Sequence, residues 1–457
     1  MKSFHLEKGL DIPLLGAPEQ VVRPGHDIFH AALIGDDYIG LKPTMLVNEG
    51  DQVKLGQPLF TDKKNEGVIF TSPGCGTVLK INRGAKRKFQ SLVIALSGKS
   101  EVLFQSLDGR DPDQVPAEEI RRNLIDSGMW CSFRTRPYGK IPKIEAVPSS
   151  LFVTAIETAP HAPDPFVIIA GHKDNFLLGL KVLGQLLPVP LHLCFADEIE
   201  ISGLNIENLN MYTFRGPHPA GLPSTHIHFI DPVYEGKEVW HICYQDVIAI
   251  GHLFRHGRLS TERTVSLAGP GVRKPTLIRT RIGASIYELC AGYLHTKDAL
   301  RILSGSVLDG RPVDSVHAYL GRYHRQISAL PEGGARGFMN WMNPGTDRFS
   351  ITRLFVSAVC RDRKFPMNTA VWGGRRAIFP LGTYEKVMPL DIIATPLLKS
   401  LAVGNFEKTI ALGGLELIEE DLALCSFVCP GKNEYGPMLR EFLTTFEKQS
   451  MNGSSAT

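Results

Sequence analysis

The chain has 457 residues, of which 43% are hydrophobic and 21% charged, and a formal net charge of +3. That is an ordinary globular balance, enough for roughly three domains, and so small a charge excludes a nucleic-acid partner held by electrostatics alone. The 8 cysteines are scattered except for Cys425 and Cys429, which points to reduced, buried thiols and not to a disulfide framework.

Residues 1–36 mix glycine, proline and isolated charges without a helical or strand period, and read as an extended arm wrapping another surface. The first residues contain no apolar run of signal-peptide length. Residues 37–100 are short strands punctuated by Gly/Pro turns, the mark of a small all-β unit. Glu49-Gly50-Asp51-Gln52-Val53 through Leu59, followed by Ser72-Pro73-Gly74-Cys75-Gly76-Thr77-Val78, resembles the barrel-sandwich fold of biotinyl and lipoyl carrier domains. Lys63 and Lys64 lie near the hairpin that such carriers modify, but the flanks do not match the carrier signature, and solvated turn lysines read the same way.

Residues 101–257 alternate helix and strand as a Rossmann-like layer. An amphipathic helix is expected over 116–127, a buried strand over 166–170, a helix over 175–187 and a strand over 190–195. The turn Ala170-Gly171-His172-Lys173-Asp174-Asn175 lacks G-x-G-x-x-G, so it offers no backbone cradle for a pyrophosphate. The most apolar window, 176–196, contains Lys181, Pro188, Pro190 and His192 and does not read as a membrane span. Residues 258–315 read as strand, strand and helix, a β-grasp-like unit. Residues 316–457 are mixed and then helical, so the whole is an α/β, multi-domain chain.

Cys425-Ser426-Phe427-Val428-Cys429-Pro430 reproduces the last half of the ferredoxin-type run C-x2-C-x2-C-x3-C-P. The two preceding ligand positions hold Leu422 and Glu419. A leucine cannot ligate iron, and a cubane cluster takes four thiolates. The two cysteines therefore read as buried structural thiols in a degenerate motif. A disulfide between them, or a cluster completed by a partner chain, is the alternative.

These parts in this order, with Lys8-Gly9-Leu10-Asp11-Ile12-Pro13, Gly40-Leu41-Lys42-Pro43-Thr44-Met45 and the segment His218 to His228, resemble the NqrA family, the A subunits of bacterial Na+-translocating NADH:quinone reductases. More distant likeness is to RnfC-type electron-transfer subunits and to the NADH-binding flavoprotein subunit of respiratory complex I. The resemblance implies a peripheral subunit on the cytoplasmic face of the inner membrane, in a six-subunit complex of A with B to F, docked above all on the membrane-embedded B component. It implies NADH oxidation and ubiquinone reduction coupled to outward Na+ pumping. It further implies that FAD, FMN, riboflavin and iron–sulfur centres belong to partner subunits, that this chain carries none, and that it contributes to binding ubiquinone. The rival readings are a scaffold that binds no quinone and an RnfC-like electron carrier.

A quinone head needs a flat apolar slot and donors for its carbonyl oxygens. Trp130 to Lys140 supplies candidates: Phe133 and Tyr138 to sandwich the ring, Arg134 or Arg136 to donate. The bland reading is that the arginines pair with acids and the aromatics fill a domain seam. His226 and His228, on one face if the segment is a strand, could ligate a metal with His218 and Asp231. Hydrogen bonding at a domain junction is the favoured reading there. Basic runs at Lys86-Arg87-Lys88, Arg121-Arg122, Arg361 to Lys364 and Arg375-Arg376 suit anionic headgroups or an acidic partner, or are simply solvated.

Overall fold

The structure is a computed structural model describing residues 2–196, 206–295, 299–333, 344–360 and 362–454, with side chains to 450. Four packed units follow one another along it. The first is a sandwich of a four-stranded sheet, in which His30–Ile34 and Gly76–Arg83 flank Phe89–Leu96, against a three-stranded sheet centred on Pro58–Asp62. Leu59, Phe60, Phe70, Val78, Leu92 and Ile94 are buried there, with Phe60 and Phe70 stacked at 4.7 Å.

The second unit is a six-stranded sheet in the order Lys2–His5, Leu209–Arg215, Leu191–Phe195, Leu151–Ala155, Val239–Cys243, Arg134–Arg136. All pairs are parallel except the last. Leu151 and Val153 face one core, with helices Lys173–Leu186 and Tyr244–His256, while Phe152 faces another, with helix Pro223–Ile230. Covering on both faces explains why Leu151–Ala155 is buried throughout. The run at 166–170 is helical, within Pro165–Gly171, and not the strand its β-branched residues suggested. Asp164 decides it: its carboxylate accepts from Phe166 N at 2.9 Å, with proline at the first helical position.

The third unit is a mixed sheet in which Glu262–Ala268 lies between Thr276–Arg281 and Gln326–Pro331, with Glu19–Pro24 of the N-terminal arm as its edge. The fourth is helical: Ala394–Ala402, Phe406–Ala411, Ala423–Val428 and Tyr435–Ser454 surround Tyr384, Leu397, Leu422, Leu439 and Phe442. The arm ties the units together. It pairs Lys2–His5 with Leu209–Arg215, bonds Gly9 N to Lys386 O at 3.0 Å, and bridges Leu14 to Phe365.

Candidate functional site

The edge strand Arg134–Arg136 and the turn after it lie where the second and fourth units meet. Thr135 N bonds Lys140 O at 2.8 Å and Gly139 N bonds Thr135 O at 3.0 Å, closing a tight loop. Tyr138 sits at φ 78, a conformation that costs a non-glycine residue about 1–3 kcal/mol and persists only where its surroundings enforce it. Here Arg440 Nη1 donates to Tyr138 O at 2.8 Å, and Lys140 Nζ reaches both carboxylate oxygens of Glu447 at 2.6 Å. Arg440 in turn forks onto Glu419 at 2.5 and 2.6 Å. The loop is thus pinned from helix Tyr435–Ser454.

The four candidates separate by environment. Phe133 is fully buried, its ring edge-on to Trp130 at 5.4 Å and tilted against Trp240 at 5.8 Å. Tyr138 is half-buried and packs against the helical unit's core. The two rings belong to different cores, so a sandwich of one head group between them is not the arrangement present. Arg136 is fully buried, with Nε to Ser224 Oγ at 3.0 Å, Nη1 to His241 Nε2 at 2.7 Å and Nη2 to Glu420 Oε1 at 3.0 Å. An arginine only donates, so His241 accepts through Nε2 and is neutral, its pKa driven well down by burial and by Arg136.

Arg134 differs. It is half-buried, its guanidinium lies 4.8 Å from the Tyr323 ring centre, and its Nε is buried without a partner. Among the described residues no side chain accepts a hydrogen bond from it. A Cβ at Gly139 would lie 3.4 Å from Arg134 Nη2 and from Ile39, and 3.5 Å from Ile418. Tyr323, Ile39 and Ile418 are thus the apolar neighbours of this cationic donor. Nothing in the sequence singled out these three, because they come from separate units and only the fold brings them to Arg134.

The carboxyl ends of the parallel strands form a second concavity of ≈ 440 Å³, including Gln20, Glu157, Thr158, His161, Asp164 and Phe166. Open α/β sheets bind ligands at this edge. Among the described residues no lysine or arginine lines it, and its acidic side chains oppose a phosphate.

His226 and His228 are on helix Pro223–Ile230, not on a strand, since Pro223 opens a helix there. His226 Nε2 donates to Ala220 O at 3.0 Å, and burial lowers its pKa to about 3. His228 Nε2 accepts from Asp391 N at 3.0 Å, so its Nδ1 donates to Glu416 at 2.7 Å. His218 N donates to Asp11 at 3.0 Å, and Asp231 pairs with Lys237. These contacts are hydrogen bonds that tie the segment to its surroundings. Among the described residues no group of three or more His, Cys, Asp or Glu is arranged to hold a metal ion.

Comparison with known proteins gives three successive family matches: the NqrA N-terminal barrel-sandwich hybrid domain over residues 4–97, the NqrA second alpha/beta domain over 115–259 and the NQRA C-terminal domain over 264–315. A relative from Rhodopirellula baltica is 51% identical over 97% of this chain and 98% of its own length. Relatives from Shewanella amazonensis and Neisseria meningitidis serogroup B are each 50% identical, over 97% and 98% of this chain and 99% and 100% of theirs. All three are named as the A subunit of a Na(+)-translocating NADH-quinone reductase. The chain belongs to the NqrA family.

In this NqrA chain the two positions that lack cluster ligands have structural work. Glu419 holds Arg440, and Leu422 is fully buried in the helical core. Cys425 and Cys429 are buried free thiols. Burial pushes Cys425 up to about 12. Cys429 is different: hydroxyls of Tyr384 and Tyr435 lie 3.1 and 3.4 Å from its sulfur, and Asn433 N donates to it at 3.3 Å. Burial alone would raise its pKa, but these contacts bring the net value below the ordinary one.

Proposed function

We propose that this NqrA chain is the A subunit of a Na+-translocating NADH:ubiquinone reductase and that it holds a ubiquinone head group in a slot beside Arg134. The observation that carries the reading is a half-buried guanidinium with no hydrogen-bond acceptor among the described residues, facing Tyr323, Ile39 and Ile418. A quinone carbonyl oxygen is an acceptor that suits such a donor, and its flat ring suits the apolar walls. Tyr138 borders the slot through the strained loop, while Phe133 and Arg136 support it from behind. The chain contributes binding and orientation, and the electrons come from flavin in partner subunits. NADH, FAD, FMN, riboflavin and iron–sulfur centres are assigned to those partners, B to F. The acidic crevice at the strand ends and the degenerate cysteine motif support a chain without a redox centre. Among the described residues no helix is long and apolar enough to cross a membrane. We therefore assign the chain a peripheral place at the cytoplasmic face, docked on the membrane-embedded B component, while the complex pumps Na+ outward.

Titration of the purified chain with a short-chain ubiquinone tests this. Saturable binding is expected, weakened about tenfold or more in Arg134→Ala, the equivalent of about 1.4 kcal/mol, and partly restored in Arg134→Lys. Absence of saturable binding in the parent chain would leave the scaffold reading, which the buried pairing of Arg136 favours. A flavin or iron–sulfur absorbance band in the pure chain would contradict the cofactor-free assignment.

A further inference from the structure

A folded chain keeps few contiguous apolar patches on its surface, and a larger one marks an interaction site. The segment 371–381 is exposed along nearly its whole length and carries Val371, Trp372, Phe379 and Leu381. Beside it lies a groove of ≈ 620 Å³ that includes Pro380, Gly382, Thr395, Lys399, Val403 and Lys408. Val403 lines the groove, and these five apolar side chains are between 47% and 78% exposed.

The segment is exposed but fixed. Arg376 N donates to Gly431 O at 2.8 Å and Asn433 Nδ2 donates to Arg376 O at 3.1 Å. The Arg348 guanidinium lies 4.7 Å from the Trp372 ring centre and holds it in place. Apolar groups held in water-exposed positions by such contacts are preorganised for a partner and lose little entropy on binding. The flanking charges are mainly positive: Arg375 and Arg376 on the segment and Lys399 and Lys408 on the groove are all exposed, against the acid Glu385 in the groove's lining.

We propose that the segment 371–381 and the adjoining groove are the docking surface for another protein of the complex, which presents a polypeptide segment with apolar side chains flanked by carboxylates. Two features favour a protein over a lipid surface. A concave groove between apolar rims is filled by a chain and left empty by a flat bilayer. The segment's charges are both arginine, and tryptophan with arginine is the composition of protein–protein hot spots, whereas a lipid surface is served equally by lysine. The assignment rests on the chain's being one of several subunits and is independent of the quinone slot.

The test is co-purification. The assembled complex is isolated through a tag on a different subunit, with this chain carrying Trp372→Ser, Phe379→Ser and Leu381→Ser together. The expected result is at least a tenfold loss of this chain from the complex. The isolated variant should melt within a few degrees of the parent, since the replaced side chains are exposed. Arg375→Glu with Arg376→Glu keeps the apolar groups and should lower retention of the chain most at low salt, with part of the loss recovered as salt screens the repulsion. Leu103→Ser with Tyr234→Ser, at exposed apolar positions elsewhere, should leave the complex intact. Stoichiometric retention of the triple variant, or equal loss from the Leu103/Tyr234 control, overturns the proposal. So does a triple variant that stays in the complex but no longer sediments with phosphatidylglycerol vesicles, which would assign the face to lipid. Failure of quinone binding alone leaves the co-purification result standing.

Discussion

Arg134 and Arg136 lie two residues apart on one strand and have opposite environments. Arg136 is paired on every side, and its removal strands Glu420, whose side chain is only 20% exposed. Breaking a buried ion pair by deleting one partner costs about 3–5 kcal/mol, so Arg136→Ala should lower the urea-unfolding free energy by about that much, whereas Arg134→Ala should leave it within about 1 kcal/mol. Asp246 is a second such centre: it accepts from Arg322 Nη1 at 3.2 Å and from Nη2 at 2.8 Å, and it also pairs with Arg263. Burial pushes its pKa up, but Arg322 and Arg263 pull it further down, and the net lies below the ordinary 3.8. A depressed carboxyl stabilises the folded chain fully above its unfolded value and loses that contribution as pH falls through the folded one. The stability gap between parent and Asp246→Asn should therefore be flat above pH 3.8 and shrink below it. Chemical denaturation from neutral pH down through the carboxylate range checks this, and a gap that instead widened on acidification would contradict it.

At the scale of elements, the closest packing is between helices Lys173–Leu186 and Tyr244–His256, through two glycines. A Cβ on Gly251 would lie 1.8 Å from Asn175 O, and one on Gly179 would lie 2.1 Å from Val247 O. Both obstacles are backbone, so the helices must separate to admit a methyl. Gly251→Ala should cost about 1–3 kcal/mol by overpacking, against the small gain alanine gives in an exposed helix, and a melting curve decides the sign. Much of this level was legible: the helix Ala117–Asp126 and the strand Leu191–Phe195 lie where periodicity put them. The two misread elements share a cause. Residues 166–170 and 226–228 are β-favouring stretches that follow a proline at a first helical position, Pro165 and Pro223. A short apolar run does not distinguish strand from buried helix, and the proline with its capping Asp164 was the stronger signal. The degenerate cysteine motif was legible as a loss. What replaced it, an ion pair at Glu419 and packing at Leu422, depends on residues far along the chain.

The whole molecule is held by contacts of long range, and this is where sequence reading stops. The Arg136–Glu420 pair spans 284 residues, and Arg134 has a neighbour from each of three other units. The N-terminal arm is the most extreme case, supplying the edge of two sheets. Deleting residues 2–24 would bare Leu209–Arg215 and Thr276–Arg281 as open edges, which invite pairing with other chains. The shortened chain is expected to unfold at lower temperature than the parent in calorimetry, and to aggregate at concentrations where the parent does not.

Lys2–His5 is made long before its partner, which begins at Leu209. At about 5–20 residues per second, that partner follows on the order of 10–40 s later, and Thr276–Arg281, the partner of Glu19–Pro24, later still. The arm thus waits for partners made near the middle of the chain. During that interval the arm is a free peptide beside half-built sheets, so a ribosome pausing near the middle of the message would hold the nascent chain in its most aggregation-prone form.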